Sequence, residues 1–327
     1  MNCGKKWAAK CPGKPYAQSK SRPRLRLRSL FVQRILFLKD PKTIEIPIRN
    51  YQNTVYEWKG NSPTLVFCHA TGFHGRIWDR VIEKLEGYHC ISIDLRGHGK
   101  STNTEPPYPW DSFVPDVMEI INTLKLSNVV GIGHSMGGHV ITSVATKMNA
   151  VVKGLVLCDP SLFVDHRYGK KKPNVDPDYS HPVSKRRNKW ENPSEMYDRL
   201  IQHKNFASWE PAVLKDYCIH GLEKQDDSYI LSCPPVAEAA MYGAYIDPKV
   251  LQDLRAYENP VSILLARAMK ANESFDDFGP SITRNDLGDM FPDAVVQRYS
   301  KHSHFLPMEN TKLVADAIVQ HCETLNK

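Results

Sequence analysis

The residues with the clearest chemical use are Gly133-His134-Ser135-Met136-Gly137, a serine with a glycine two positions away on either side. A serine hydroxyl is a weak nucleophile at neutral pH, so it needs a base to take its proton and donors to hold the oxyanion its attack creates. It also needs a turn that lifts it clear of the backbone. The apolar run Val129-Val130-Gly131-Ile132 precedes the motif and the helical run Val140 to Met148 follows it. Ser135 therefore falls at a strand-to-helix turn, where glycines make room for the neighbouring strand and a helix N-terminus favours negative charge. The five-residue pattern alone arises by chance in roughly one chain in ten of this length, so its weight comes from that position. A second strand end, Leu65-Val66-Phe67-Cys68-His69-Ala70-Thr71-Gly72, supplies the other half of an oxyanion hole. The expected donors are the amides of Met136 and Thr71. Among thirteen histidines, His304 is the expected base, lying after the last strand and before the final amphipathic helix in the chain order such enzymes use. His302 is its main competitor, and His98, His134 and His139 are read as structural.

The elements that must position these residues follow a βα rhythm from about residue 43. Short apolar, β-branched runs occur at 64–68, 90–95, 129–132, 152–158, 261–265 and 294–299. Such runs suit strands of a mostly parallel sheet covered by helices on both faces. Amphipathic stretches at 77–85, 114–124 and 311–325 read as helices, and 43–48 with 54–58 reads as a hairpin around Asn50 to Asn53. The rhythm stops after Asp159 and resumes at Val261. The hundred residues between carry Pro173, Pro177, Pro182, Pro193, Pro211, Pro234 and Pro235 and helical pieces near 194–203 and 211–222, too long and too structured for a loop. The expected organisation is a basic leader over 1–39, an α/β core over 40–159 and 260–327, and a helical cap over 160–259.

Charge narrows the function classes. Eleven of the 43 Lys and Arg lie in residues 1–39, which contain no acid, so the remainder is mildly acidic despite a net charge of +7. No nucleic-acid partner is expected of that body. The leader reads as a disordered solvated tail, with a mitochondrial import segment as the alternative, weakened by Pro12, Pro15 and Pro23. No run reaches the length of a spanning helix, and no secretory pattern is seen. A cytoplasmic location is expected. The eight cysteines form no C-x-x-C pair; Cys68, Cys90 and Cys158 read as small buried hydrophobes. Nothing has metal-ligand spacing and no phosphate loop occurs, so no metal or cofactor is expected.

Together, His69-Ala70-Thr71-Gly72, Asp94-Leu95-Arg96-Gly97-His98-Gly99, Gly133 to Gly138 and Ser303-His304-Phe305-Leu306-Pro307-Met308-Glu309 resemble the α/β-hydrolase superfamily over about residues 43–325. Within it the chain is similar to a fungal and bacterial esterase- or lipase-like branch, distantly like a yeast peroxisomal lipase-like hydrolase. It lacks a peroxisomal S-K-L ending, and Ala70 stands where a glycine is common after the strand-end histidine. The resemblance implies an α/β-hydrolase fold and an acid a few residues beyond the strand at 261–266. Met269 occupies that position, and a methionine cannot orient an imidazole. Glu273, Asp276 and Asp277 are displaced candidates. A minority of the superfamily takes the acid from the end of the preceding strand, which here is Asp159, the favoured choice over Asp277; its structural alternative is a turn ahead of Pro160.

The expected activity is hydrolysis of a carboxylic ester through an acyl-enzyme on Ser135, acting on a small, apolar acyl substrate. A thioesterase or C–C bond hydrolase would share the machinery, and a catalytically silent binding protein would keep the fold. Trp190, Phe206, Trp209, Met241 and Tyr242 are candidates for an acyl pocket, with the core of the cap as the alternative. The Asp94 to Gly99 loop is expected to organise the site's surroundings through an Arg or Asp hydrogen bond. A homodimer is compatible with all of this.

Overall fold

The computed structural model describes residues 40–163, 181–271, 273 and 278–325. Eleven strands and nine α-helices occur among them. In chain order these are β1 (Lys42–Ile48), β2 (Tyr51–Trp58), β3 (Asn61–Cys68), α1 (Asp79–Ile82), β4 (Tyr88–Ile93), α2 (Phe113–Thr123), β5 (Val129–His134), α3 (Met136–Lys147) and β6 (Val152–Cys158). There follow β7 (Lys189–Trp190), α4 (Pro193–Leu200), α5 (Pro211–His220), β8 (Leu222–Gln225), β9 (Ser228–Leu231), α6 (Pro235–Gly243) and α7 (Lys249–Asp253). The chain closes with β10 (Val261–Leu265), β11 (Ala294–Arg298), α8 (Leu306–Glu309) and α9 (Thr311–Thr324). The expectations placed on the leader over 1–39 and on Asp276 and Asp277 lie outside the described residues.

Eight strands form one sheet in the order β1-β2-β4-β3-β5-β6-β10-β11. The β1–β2 and β2–β4 pairings are antiparallel and every later pairing is parallel. The hairpin turn is tighter than the sequence suggested: Ile48 pairs with Tyr51, leaving Arg49 and Asn50 as a two-residue turn with Arg49 at φ 56°.

The central strands are buried on both faces, and their alternate residues supply two separate cores. Val66, Cys68, Leu155, Leu157, Ile263 and Leu265 meet the apolar faces of α2 and α3, including Val117, Ile120, Val140 and Val144. Leu65, Phe67, Val156, Cys158 and Leu264 meet α1 and α9 through Val81, Ile82, Val314 and Ile318. That two-fold alternation lets continuous apolar runs work as strands between two helical layers. All six described cysteines outside the leader are buried free thiols.

Between β6 and β10 the described residues carry α4 to α7 and also a three-stranded antiparallel sheet, β7-β9-β8. The sequence reading of helices alone missed that sheet, and its helix over 211–222 overran into β8. Trp190, Met196, Trp209, Val213, Leu214 and Tyr217 of this insertion join the core that α1 and α9 cover. By contacts, insertion and α/β body are one unit. No helix among the described residues is long and apolar enough to cross a membrane.

The chain adds β4 on one side of β3 and then crosses back to place β5 on the other. Such a reversal opens a crevice at the carboxyl ends of the strands. Thr71 follows β3, Ser135 follows β5, Asp159 follows β6 and His304 follows β11.

Candidate active site

Ser135 sits between β5 and α3 at φ 54° and ψ −121°, and it caps the helix that begins with Met136. This left-handed backbone is strained for any side chain and is held by close packing on both sides. A Cβ on Gly133 would lie 2.6 Å from the carbonyl oxygen of Gly137, and one on Gly137 would lie 2.3 Å from that of Cys68. Both positions need glycine for steric reasons.

The side chains form one hydrogen-bonded line. His304 Nε2 lies 3.0 Å from Ser135 Oγ, and His304 Nδ1 lies 2.6 Å from Asp159 Oδ2. A carboxylate accepts only, so Nδ1 carries the proton and Nε2 is left to accept from the serine. The serine is 8%, the histidine 2% and the aspartate 0% exposed. Burial pushes the Asp159 carboxyl upward, but hydrogen bonds from His304, Ser281 and the Ala266 amide outweigh it, and the net shift is below the ordinary value. The Ala266 amide donates to Oδ1 at 3.0 Å, the Ser281 hydroxyl to the same oxygen, and the Ile282 amide to Oδ2 at 3.2 Å. Asp159 itself lies at φ 40° and its amide donates to Leu264 O at 2.7 Å.

One rival acid, Glu273, is engaged elsewhere. The side chain of Glu273 takes both guanidinium nitrogens of Arg267, at 2.7 and 2.8 Å, and the Lys270 amide at 2.8 Å. Met269 occupies the loop beyond β10 and offers no acceptor. Asp276 and Asp277 are not described. His302 is turned to Glu309, Nδ1 to Oε2 at 3.3 Å. His134 Nε2–H donates to the main-chain oxygen of His304 at 2.8 Å, so it holds the loop that carries the imidazole. Burial lowers His134 to about 3 and His98 and His139 each to about 4, keeping all three neutral near pH 7.

Thr71 and Met136 meet where the loop after β3 touches the start of α3; the Thr71 hydroxyl donates to Met136 Sδ at 3.3 Å. Neither main-chain N–H has a hydrogen-bond acceptor among the described residues. The loop beneath is held by two buried histidines. His69 Nδ1–H donates to Ala70 O at 2.7 Å, its Nε2 accepts from the Leu95 amide at 3.0 Å, and His98 Nε2 accepts from the Gly72 amide at 3.0 Å. Asp94 accepts from the Gly75 amide at 2.6 Å and the Lys100 amide at 2.8 Å. The Asp94 to Gly99 loop thus organises the site's surroundings through His98 and Asp94. Arg96 is committed elsewhere, to Asp116 at 3.2 Å and Ser112.

Three contacts were not visible in the sequence. Ser161 Oγ lies 3.1 Å from Ser135 Oγ, Ser281 steadies Asp159, and the insertion's Glu238 abuts Gly72. A Cβ on Gly72 would lie 2.4 Å from Glu238 Oε1. Arg186 Nη1 holds Glu238 Oε2 at 2.5 Å and Arg186 Nη2 donates to the Tyr217 hydroxyl at 3.1 Å. The only signal for Ser161 was its place two residues after Asp159, and serines in loops are too common for that to distinguish it.

Of the five insertion residues considered for an acyl pocket, Trp190, Trp209 and Met241 are core, at 4%, 3% and 0% exposure. Phe206 packs on Trp209 with ring centroids 4.9 Å apart. Tyr242 stacks on His181 at 4.6 Å and reaches Phe278 at 6.3 Å. Phe278 lies 6.1 Å from the His304 ring and 5.6 Å from Phe305.

The sequence model of the alpha/beta hydrolase family matches residues 65–317. Over 117 residues the chain is 33% identical to the (E)-2-((N-methylformamido)methylene)succinate hydrolase of Acinetobacter baylyi, covering 36% of this chain and 44% of that protein. Over 124 residues it is 34% identical to the sn-1-specific diacylglycerol lipase ABHD11 of Danio rerio, covering 36% of this chain and 38% of that protein. The chain therefore spans less than half the length of these curated relatives. The solved peroxisomal alpha-beta-hydrolase Lpx1 of Saccharomyces cerevisiae shares the fold, with a TM-score of 0.66 at 16% identity over 87% of this chain and 88% of that one. The strand order, the turn at Ser135 and a family match that runs from β3 into α9 give one answer: the chain belongs to the alpha/beta hydrolase family.

Proposed function

We propose that the chain is a serine hydrolase of carboxylic esters, with Ser135 as nucleophile, His304 as general base and Asp159 as the carboxylate that orients it. The observation that carries this reading is the unbroken line Ser135 Oγ, His304 Nε2, His304 Nδ1, Asp159 Oδ2, with its two steps of 3.0 and 2.6 Å. His304 takes the serine proton as Oγ attacks the ester carbonyl, and Asp159, kept ionised by its donors, stabilises the imidazolium. The amides of Thr71 and Met136 hold the oxyanion, aided by the N-terminus of α3. His304 then protonates the leaving alkoxide, and water activated by the same imidazole releases the acyl group from Ser135. The substrate is apolar on its acyl side, a reading supported by Phe278 and Phe305 beside the imidazole.

A fluorophosphonate tests the reading. Covalent labelling is expected in the wild type and lost in Ser135→Ala, together with a fall in ester turnover of about 10⁵- to 10⁶-fold. A folded wild type that neither labels nor turns over short aryl esters overturns it.

A further inference from the structure

One carboxylate of the insertion stands beside the oxyanion loop with an oxygen unused. Glu238, on α6, is 4% exposed, and its Oε2 accepts from Arg186 Nη1 at 2.5 Å. Its Oε1 accepts no hydrogen bond among the described residues and is not fully sealed from solvent. A carboxylate taken out of water ordinarily finds donors for both oxygens. The neighbours are committed elsewhere: the Gly72 amide donates to His98 Nε2 at 3.0 Å, and Arg186 Nη2 to the Tyr217 hydroxyl at 3.1 Å. Bracing the loop against the insertion needs only the Oε2 pairing and the packing on Gly72, so that role leaves Oε1 unexplained.

The free oxygen lies close to the chemistry. A Cβ on Gly72, the residue after Thr71, would lie 2.4 Å from it. Glu238 and Tyr242 are one helical turn apart on α6 and share a face. Tyr242 approaches Phe278 at 6.3 Å, and Phe278 the His304 ring at 6.1 Å. That face of α6 therefore runs from the oxyanion loop to the neighbourhood of the base. Burial raises the Glu238 carboxyl above its ordinary value, and Arg186 opposes the rise. The ion pair is net neutral, so a cation brought against it would be a buried charge without a counterpart. An uncharged donor fits. With Ser135 as the nucleophile, on which this rests, we propose that Glu238 Oε1 selects an ester carrying a hydroxyl a few bonds from its scissile carbonyl. The hydroxyl sits on the alcohol portion or on an otherwise apolar acyl portion, since both meet at that carbonyl.

Two matched sets of esters test this. One keeps a phenyl leaving group and varies the acid: butanoic, β-hydroxybutanoic and β-methoxybutanoic. The other keeps the butanoyl group and varies the alcohol: propyl, hydroxyethyl and methoxyethyl. In one set the wild type is expected to show a kcat/KM at least about tenfold higher for the hydroxyl ester than for either analogue. The set that responds identifies the portion bearing the hydroxyl. In Glu238→Gln the side-chain oxygen must turn to Arg186, which only donates, so an amide NH2 replaces the acceptor facing the substrate. The hydroxyl ester is then expected to lose its advantage over the methoxy ester, which accepts but cannot donate. A role confined to bracing the loop would lower all the esters together and leave their ratios unchanged. Turnover by the wild type without preference for the hydroxyl in either set overturns the proposal, as does a preference that survives Glu238→Gln. Failure to hydrolyse any of the esters, with no fluorophosphonate labelling, overturns the reading of Ser135, and the proposal falls with it.

Discussion

The crevice has two walls of different construction. The α/β body presents Ser135, Asp159 and His304 on strand ends and fixes each with hydrogen bonds, five of them converging on the Asp159 side chain and amide. The insertion presents aromatic packing, with Phe206, Trp209 and Tyr217 gathered around Phe73 and Phe305, and sets the ion pair of Arg186 with Glu238 against Gly72. Hydrogen bonds are directional and weaken steeply as they bend, whereas apolar contact tolerates sliding. The body is therefore built to aim groups and the insertion to enclose space. Changes to the aimed groups of the body should fall mainly on rate, and changes in the insertion mainly on stability.

The largest test of that contrast is Asp159→Asn. It keeps the size of the side chain but removes the charge and invites the wrong imidazole tautomer, so kcat for an ester should fall about 10³- to 10⁴-fold with KM nearly unchanged. Near-normal turnover would remove Asp159 from the proposed set. On the other wall, Trp209→Ala should lower unfolding stability in urea by about 3 kcal/mol while turnover per folded molecule stays within a few-fold; a thousandfold loss of turnover would erase the contrast. Arg186→Met leaves Glu238 buried and unpaired against Gly72. Because Arg186 is partly exposed, the expected loss is about 2 kcal/mol, with a modest fall in kcat as the oxyanion loop shifts. Glu238→Gln in the same background should recover most of it.

Acid provides a finer test. Since the Asp159 carboxyl is held below its ordinary value of 3.8, its ionisation adds stability that is fully present above that value and is lost as pH falls through the lower folded value. The stability advantage of the wild type over Asp159→Asn should be flat from pH 7 to about pH 5 and then shrink. Urea midpoints measured across that range would reveal a growing advantage if the sign were wrong. The smallest expected effect is that of Ser161→Ala, a fall in kcat of about tenfold or less, since the Ser161 hydroxyl only steadies Ser135 Oγ.

What could be read from residues alone was whatever a short pattern dictates locally. The turn at Ser135 was legible because Gly133 and Gly137 are forced by close approaches, and the central strands because both their faces are apolar. The meeting of Asp159 with His304 was legible through Met269, a residue unable to orient an imidazole from the loop beyond β10. By contrast α6 was hidden behind Cys233-Pro234-Pro235, which reads as a break, although a proline in the first turn starts a helix comfortably. The small sheet was hidden because β7 has two residues and β8 two charges among its four, leaving no periodicity to detect. Arg186, Glu238, Ser161 and Ser281 meet their partners across long stretches of chain, and no local pattern encodes such meetings.

With the carboxylate taken from β6, the loop after β10 has a lighter duty. From Arg267 to Glu273 it is closed by its own bidentate clasp, and Asp159 is reached by the Ala266 amide before that clasp and by Ser281 and Ile282 after it. Evolution, or an engineer, is thereby given a splice point. Under this assignment, segments grafted between Arg267 and Glu273 leave in place both the group that orients the base and the donors at Ala266, Ser281 and Ile282 that hold it.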